Sequence, residues 1–215
     1  MKTISLTIAT GMMFLLNSCA LTLSPQEKAR LRSELPSKQG TYTDARDGYT
    51  YQTIRVGNYT WFAENLRYAS EGSFCYNDQE SNCAKYGRLY SIQEILESRN
   101  KGELCPEGWR VPNDSMVTNL IVTAKGISNL GVDGTNLFGF SVIYAGAYLN
   151  SVAGKGYEWN KERELLFFKG AQNQDNEYDP MIPGYFMTWV GAGHPIYDRV
   201  NPANAERFAI RCVKF

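Results

Sequence analysis

Five cysteines give this chain of 215 residues its clearest capacity for covalent chemistry. An odd number of cysteines would leave one reactive thiol in an exported protein. Cys19 directly follows a mostly apolar N-terminal segment, and setting it aside leaves an even number. Four cysteines suit two disulfides in an oxidising compartment. They are Cys75, Cys83, Cys105 and Cys212.

These four cysteines can pair in three ways. We favour Cys75–Cys83, which closes a short polar loop, together with Cys105–Cys212, which fastens the C-terminus. On the chain-entropy model the long loop contributes roughly 4–5 kcal/mol and the short loop roughly half that. A zinc site is a weak alternative, because the chain has no CxxC spacing and only one histidine, His194.

The single histidine also argues against nucleophilic catalysis. A Ser–His–Asp or Cys–His arrangement needs a histidine beside its nucleophile. His194 stands in the segment Gly191–Pro195 and has no free thiol to pair with, so we interpret it as a loop residue. The sequence therefore predicts a protein that is not an enzyme and that needs no cofactor.

Paired carboxylates in the C-terminal half offer a second kind of chemistry. Glu162 and Glu164 could hydrolyse glycosidic bonds, but spacing along the chain does not give the separation in space that this reaction requires. Acidic residues in loops are usually just solvated. Glycosidase chemistry is therefore a weak alternative.

Three acidic residues with alternate spacing are weak candidates for a calcium site. Asp175, Glu177 and Asp179 supply oxygen atoms at every second position, as a calcium-binding loop does. Pro180 follows where an EF-hand loop needs glycine, and Phe186 stands where the bidentate glutamate belongs. We therefore predict no metal site beyond this weak candidate.

A Gly/Asn-rich segment in the second half of the chain is also rich in aromatic residues. Aromatic rings exposed in such loops can stack on sugar rings or anchor a protein partner. The alternative is that most of them belong to the core, as we expect for Trp61 and Trp109. The candidate ligand-binding residues are Tyr157, Trp159, Tyr178, Tyr185, Trp189 and Tyr197.

The N-terminus has the pattern of an export signal. Lys2 precedes a charge-free, mostly apolar run from Ile4 to Leu16, which is too short for a membrane-spanning helix of ~20 residues. The run ends in Leu16-Asn17-Ser18-Cys19, which resembles the lipobox of bacterial lipoproteins. The resemblance implies a signal peptide over residues 1–18, a lipid on Cys19, and a place in the bacterial cell envelope, at the outer membrane or cell surface. An ordinary signal peptide with an unrelated cysteine is the alternative.

The charge balance argues against one class of partner. The chain has 22 basic and 22 acidic residues, and removing Lys2 with the signal peptide leaves 21 basic against 22 acidic. No large field of one sign follows, so nucleic acid is not an expected partner. The expected partners are the membrane, through the lipid anchor, and a glycan or a surface protein.

Residues 19–40 are predicted to form a lipidated tether. A capping box at Ser24-Pro25-Gln26-Glu27, with proline at the first helical position, favours a short helix over Glu27–Leu35. A disordered spacer is the alternative, given the mixed composition.

The local patterns of residues 41–215 predict one α+β domain. An early hairpin runs through Tyr49–Val56 and Tyr59–Ala63. One helix is capped by Ser91 and ends near Arg99, and a second is capped by Asn113 or Asp114. Later strands are predicted over Phe138–Leu149, Leu165–Lys169, Tyr185–Val190 and Phe208–Val213.

Six sequence blocks follow one another in a specific order along this domain. They are Asp44–Tyr51, Val56–Leu66, Cys75–Asn77, Cys83–Tyr90, Cys105–Pro112 and Ala209–Lys214. The series resembles the Fibrobacter succinogenes major paralogous domain, a family similar to the C-type-lectin-like superfamily. The resemblance implies a C-type-lectin-like domain with an N-terminal β-hairpin, two helices and a loop-rich antiparallel β region. In that superfamily a cysteine beside the first helix pairs with one in the last strand, as proposed for Cys105 and Cys212.

The resemblance implies a fold and a location but no reaction. Members of this family are mostly lipoproteins or secreted proteins without an assigned biochemical activity. Many members carry a Tyr-Trp-Trp-Ser-Ala-Thr-like block, and Gly184–Trp189 keeps its aromatic character but not its motif. The Glu-Pro-Asn and Trp-Asn-Asp signatures of sugar-binding lectins do not occur.

The expected function is recognition or adhesion by a surface-displayed, non-catalytic domain that binds a glycan or a protein. The alternative is a structural component of the cell envelope that assembles with other surface proteins. A degenerate enzyme of the formylglycine-generating type is a distant third hypothesis. Those enzymes share the superfamily but work through reactive cysteines, and all five cysteines here are assigned to lipid or disulfides.

Replacing Cys19 with serine tests the lipid anchor. Without the thiol no lipid can be attached. The original protein should therefore be in the membrane fraction, and the Cys19→Ser protein should be absent from it. Fractionation of expressing cells followed by immunoblotting measures this distribution. A Cys19→Ser protein that still partitions with membranes would contradict lipidation.

Overall fold

The structure is a computed structural model, and its description covers most of the chain between Ser24 and Ile143 together with the C-terminus. The described residues are 24–34, 38–126, 129–130, 136, 138–143, 145, 147–150, 157–160, 167–169, 185–187, 196–197 and 206–215. The predicted signal peptide (1–18) and the predicted lipid site Cys19 lie outside them.

Helices and antiparallel sheets occur together in the described residues, so the predicted α+β class is confirmed. The helices are α1 (Pro25–Glu34), α2 (Glu80–Tyr86), α3 (Ile92–Lys101) and α4 (Asp114–Thr123). The strands are β1 (Lys38–Thr43), β2 (Thr50–Val56), β3 (Tyr59–Phe62), β4 (Tyr90–Ser91), β5 (Ala147–Asn150), β6 (Tyr157–Asn160), β7 (Phe167–Lys169), β8 (Tyr185–Met187), β9 (Ile196–Tyr197), β10 (Arg207–Phe208) and β11 (Val213–Lys214).

A sheet with strand order β1-β2-β3-β11 lies between α3 and α4, which we call the two main helices. Its strands alternate their side chains between two faces. On one face Tyr51 and Phe62 stack with ring centres 4.2 Å apart and belong to a core cluster with residues of α3. On the other face Ile54 and Trp61 belong to a cluster with residues of α4. Since each fully buried large apolar side chain stabilises the fold by ~1.5–3 kcal/mol, this central layer anchors the domain.

Two smaller sheets complete the described strands. One has the order β4-β10-β5-β6, and the other has the order β7-β8-β9. All their pairings are antiparallel. The sheet β4-β10-β5-β6 links α3 to the C-terminal region, because β4 leads directly into α3 and pairs with β10.

Side-chain caps begin the two main helices where the sequence predicts them. The hydroxyl oxygen of Ser91 accepts a hydrogen bond from the Glu94 backbone N–H at 3.0 Å, and α3 ends at Gly102 in the left-handed conformation. Of the two candidates for the cap of α4, Asn113 takes the role, because its Oδ1 accepts from the Met116 N–H at 3.0 Å.

The predicted tether contains a helix and the start of the first strand. The capping box is complete: the Glu27 N–H donates to Ser24 Oγ at 3.2 Å, and the Ser24 N–H donates to Glu27 Oε2 at 2.9 Å. α1 begins at Pro25 rather than at Glu27. β1 begins at Lys38, which pairs with Arg55, so the boundary expected at residue 41 falls inside a strand.

The sequence does not predict α2, the helix that lies inside the loop closed by the Cys75–Cys83 disulfide. α2 occupies part of the stretch for which the sequence predicts a short polar loop. Its cap residue, Gln79, makes no capping hydrogen bond through its side chain, so the sequence carries no start signal there. A side-chain bond from Asn82 Nδ2 to the Tyr76 carbonyl, 2.7 Å long, fastens the helix to the preceding turn instead.

The strand predicted over Phe208–Val213 is two strands in two different sheets. β10 pairs with β4 and β5, whereas β11 pairs with β3. The residues between them, which include Arg211 and Cys212, are not in a strand, and their side chains form long-range bonds. The Cys212 carbonyl still accepts from the Phe62 N–H at 2.9 Å.

The strand predicted over Phe138–Leu149 begins only at Ala147. Upstream, Asn136 and Ser141 have positive φ angles, and Asn136 Oδ1 accepts from the Ser141 N–H at 2.8 Å. This local bond replaces a ladder bond and ends the extended pattern. The described residues of two other predicted strands, Leu165–Lys169 and Tyr185–Val190, form β7 and β8.

The structure contains the favoured pair of disulfides, Cys75–Cys83 and Cys105–Cys212. The second joins the segment after α3 to the C-terminal strand region across 107 residues. Within the described residues, no helix is long and apolar enough to cross a membrane.

Replacing Gly87 with alanine should cost ~3 kcal/mol or more of unfolding free energy. Gly87 has φ +82° and ψ −177°, which is a region open almost only to glycine, and an added Cβ would lie 2.7 Å from Asn65 Cβ. Gly102 is the matched control, since it has φ +76° and nothing within 4 Å of an added Cβ. Gly102→Ala should cost only ~1–2 kcal/mol, because a residue with a Cβ adopts the left-handed conformation at about that cost. Urea denaturation measures both, and equal losses would contradict the close approach at Gly87.

Candidate binding groove beside the third helix

An open cavity of about 570 Å³ lies beside α3, and we call it the α3 groove. One wall is the segment Tyr68–Gly72, a second is the exposed side of α3, and a third is Glu103–Leu104. Its volume falls within the ~300–1,000 Å³ of typical small-molecule sites. The lining residues are Tyr68, Ala69, Ser70, Glu71, Gly72, Ser91, Gln93, Glu94, Glu97, Ser98, Glu103 and Leu104.

Arg46 ties two walls of the α3 groove together. Its Nη1 donates to the carbonyl oxygens of Glu103 and Leu104 at 2.9 and 3.0 Å. Its guanidinium carbon lies 3.7 Å from the centre of the Tyr68 ring, which is a close cation–π contact. One side chain therefore contacts the Tyr68 wall and the Glu103–Leu104 wall at once.

A buried carboxylate holds Arg46 in this position. Asp44 is fully buried, and its Oδ2 lies 2.7 Å from Arg46 Nη2 while its Oδ1 accepts from Arg46 Nε at 2.9 Å. Burial alone raises the pKa of the Asp44 carboxyl. The hydrogen bonds from the side chain and backbone of Arg46 outweigh burial, so the pKa lies below its ordinary value of 3.8.

Two further hydrogen bonds fix the backbone of the groove. The Tyr90 hydroxyl donates to the Tyr68 carbonyl at 2.8 Å, and burial raises the pKa of Tyr90 well above its ordinary value. The Leu104 N–H donates to Ser98 Oγ, also at 2.8 Å. These bonds hold the Tyr68 wall and the Leu104 wall from the core side, so the shape of the groove is fixed before a ligand binds.

The lining of the α3 groove is polar and acidic. It contains four carboxylates and no lysine, arginine or histidine among the described lining residues. Two of its polar atoms, Ser70 Oγ and Glu94 Oε2, are buried without a hydrogen-bond partner in the described part of the chain. Since buried polar atoms are nearly always satisfied, these two atoms lack the partner that such atoms normally have, and a small side-chain movement would be needed to present them to a ligand or water in the groove. The carboxylates are Glu71, Glu94, Glu97 and Glu103.

A second, smaller cavity of about 380 Å³ adjoins Glu64 and is a weaker candidate. The Glu64 carboxylate already accepts from the Tyr49 hydroxyl and the Gln52 N–H, each at 2.8 Å. Burial, with a further contribution from Glu64, raises the pKa of Tyr49 to about 12. Because this carboxylate is already bonded within the fold, we assign it a structural role.

Comparison with known proteins identifies the family. The sequence profile of the Fibrobacter succinogenes major domain matches residues 54–214. The chain belongs to this family. No curated protein and no solved structure matches the chain. The matched Fibrobacter succinogenes major domain includes every lining residue of the α3 groove, whereas Asp44 and Arg46 precede its first matched residue.

The aromatic candidates do not gather in the described structure. Tyr157 and Trp159 lie on β6, an edge strand, opposite Asn150 and Tyr148 of β5, and positions 157 and 159 share one face because they are two residues apart. Tyr185 lies on β8 and Tyr197 on β9. Since Tyr197 pairs with the neighbour of Tyr185, Phe186, positions 185 and 197 lie on opposite faces of their sheet. Tyr178 and Trp189 lie outside the described residues.

The other residues singled out in the sequence either lie in the core or lie outside the described residues. Trp61 and Trp109 are buried, as expected for core residues. The acidic and histidine candidates lie outside the described residues, so their predicted roles stay predictions. They are Glu162, Glu164, Asp175, Glu177, Asp179 and His194.

The α3 groove was not predicted from the sequence. Its acidic side chains on α3 form no sequence motif that indicates a binding site. Arg46 approaches Leu104 across 58 residues of chain, a contact that no local pattern indicates. The one available signal was the position of Arg46 in the first of the six sequence blocks, two residues after Asp44.

Replacing Asp44 with asparagine should cost ~2 kcal/mol at about pH 7, because a charge-assisted bond to Arg46 is lost. A carboxyl whose pKa is lowered by folding stabilises the protein above its unfolded pKa, and this contribution disappears as the pH falls through the folded pKa. The difference between the original protein and Asp44→Asn should therefore shrink at about pH 3. Urea denaturation at both pH values measures it, and a difference that grows on acidification would contradict the ion pair.

Proposed function

We propose that the protein is a surface-displayed lipoprotein whose domain recognises a glycan through the α3 groove, without catalysis. The observation that carries this proposal is the open, hydroxyl- and carboxylate-lined cavity whose Ser70 Oγ and Glu94 Oε2 lack partners among the described residues. A glycan offers many hydroxyl donors, and carboxylates accept from them strongly. An apolar ligand would leave these polar atoms unpaired, at a cost of ~1–3 kcal/mol each.

The contacts that support the groove favour a role in ligand binding. Arg46 fixes both walls from one side, and Tyr90 and Ser98 hold the backbone of Tyr68 and Leu104 from the core. A site that is already shaped loses less conformational entropy when it binds. A recognition domain benefits from this property, because a smaller loss of entropy on binding gives a higher affinity for its ligand.

Our proposal for the finer fold is the C-type-lectin-like one. Two features support it: β1 and β11 belong to one sheet, so strands from both ends of the domain share it, and the Cys105–Cys212 disulfide joins the segment after α3 to the last strand region. The disulfide fits the pairing that the family resemblance implies.

Our proposal for the location is the bacterial cell envelope, with a lipid on Cys19. The short helix α1 follows that residue and precedes β1, so it would act as a spacer between the lipid and the domain. The lipobox-like sequence before Cys19 supports this placement.

A structural role in the envelope is the second candidate. β1 pairs only with β2 in the described residues, and its residues 39–41 are exposed, so one edge of the main sheet is open to another strand. Such an edge can add a strand from a neighbouring surface protein. This candidate predicts assembly without a soluble ligand.

A glycan array separates the two candidates. The full chain with Cys19→Ser, which removes the lipid, should bind a defined set of glycans, and Glu97→Gln or Glu71→Gln should weaken binding by about 10–100-fold by removing a charged acceptor. Glu107→Gln is the control, because Glu107 is exposed and outside the α3 groove. Each array is run with calcium and with a chelator.

The other outcomes are informative. Binding that is indifferent to the groove variants but lost in Trp159→Ala would move the site to β6, and loss with chelator would support the acidic candidates Asp175, Glu177 and Asp179. No glycan binding, combined with concentration-dependent assembly in sedimentation, would overturn recognition in favour of the structural role.

A further inference from the structure

The loop closed by the Cys75–Cys83 disulfide brings two sulfur atoms and one carboxylate together. The ligand atoms of Cys75, Glu80 and Cys83 all lie within 4.8 Å of one another. Both cysteines are buried, whereas Glu80 is exposed, so the group has an inner sulfur side and an outer carboxylate side. In the described residues, this is the group with the donor set of a transition-metal site.

The loop has hydrogen bonds of its own that hold the three residues near one another. Glu80 and Cys83 are three residues apart on α2, so they share one helix face. The Asp78 N–H donates to the Cys75 carbonyl at 2.9 Å, and Asn82 Nδ2 donates to the Tyr76 carbonyl at 2.7 Å. These bonds do not involve the sulfur atoms, so they remain available to hold the loop when the sulfur–sulfur bond opens.

A neighbouring arginine orients the carboxylate toward the sulfur atoms. Arg88 Nη1 donates to Glu80 Oε1 at 3.1 Å, and Arg88 Nε donates to Ser73 Oγ at 2.9 Å. The other oxygen, Glu80 Oε2, lies 3.0 Å from Cys75 Sγ. Metal-binding carboxylates are commonly oriented by such outer hydrogen bonds, which also tune affinity.

We propose that the reduced form of this loop is a site for Zn²⁺ or a cation of similar softness, bound by the thiolates of Cys75 and Cys83 and the carboxylate of Glu80. A dithiol reductant gives two electrons to the disulfide, becomes a disulfide itself, and leaves two thiols on the protein. The cation then replaces one proton on each thiol, and both protons pass to solvent. The oxidised loop offers no thiolate, so the cation binds only after reduction.

The donor set selects the class of cation. Thiolates favour zinc, cobalt and other transition metals, whereas calcium and magnesium prefer oxygen. Tetrahedral zinc, with Zn–S of ~2.3 Å, would hold the two sulfur atoms ~3.8 Å apart, so the site needs only a small local opening. Three protein ligands leave a fourth position for water on the exposed side of Glu80.

Cobalt titration of the reduced protein tests this site. The full chain with Cys19→Ser, which adds no further thiol, is treated with a reductant, and Co²⁺ is added. A sulfur-to-cobalt charge-transfer band should develop at one equivalent of cobalt, be lost on adding Zn²⁺, and be absent from the oxidised protein.

Variants separate this site from the other disulfide. Cys75→Ser/Cys83→Ser keeps Cys105 and Cys212 and should give no band after the same treatment. Glu80→Gln and Arg88→Gln, which leave both cysteines in place, should weaken cobalt binding by about 10–100-fold. Asp78→Asn is the matched control in the same loop and should bind as the parent does.

Two results would overturn the proposal. One is a cobalt band that persists in the double serine variant or is unchanged in Glu80→Gln. The other is no band in a reduced protein whose thiols at 75 and 83 are shown to be free by alkylation and mass spectrometry.

Discussion

The described fold depends most on the hydrogen bonds made by the buried guanidinium of Arg211. Its Nε donates to Asn65 Oδ1 at 2.9 Å, its Nη2 donates to the Ser141 carbonyl at 2.8 Å, and its Nη1 donates to the Phe140 carbonyl. The side chain is almost fully buried, so any acceptor it leaves would be unpaired in the core. One residue near the C-terminus thus joins the segment after β3 to the segment before β5, and its neighbour, Cys212, adds a covalent bond to Cys105.

The same network reaches the α3 groove through the backbone. Cys105 follows Leu104, whose N–H is held by Ser98 and whose carbonyl is held by Arg46. Fixing Cys105 to the C-terminus therefore also fixes the end of the groove wall. The shape of the proposed binding site then depends on contacts between residues that are distant in sequence, and not on the local loop alone.

This dependence explains what the sequence could and could not predict. Local signals identified the caps of α3 and α4, and cysteine number and spacing indicated the disulfide pairs. The sequence does not indicate α2, because Gln79 provides no side-chain cap. It does not indicate the split of the last predicted strand either, because β10 and β11 pair with strands far along the chain in two different sheets. The α3 groove was missed for the same reason, since its walls meet through Arg46.

Comparing Arg211→Met with Arg211→Lys in urea denaturation tests the central claim most directly. If Arg211 organises the fold, the methionine variant should lose more than ~3 kcal/mol of unfolding free energy, because it leaves Asn65 and two backbone carbonyls without their donor. The lysine variant, which keeps a donor and most of the volume, should lose less. A methionine variant within ~0.5 kcal/mol of the original protein would contradict the claim.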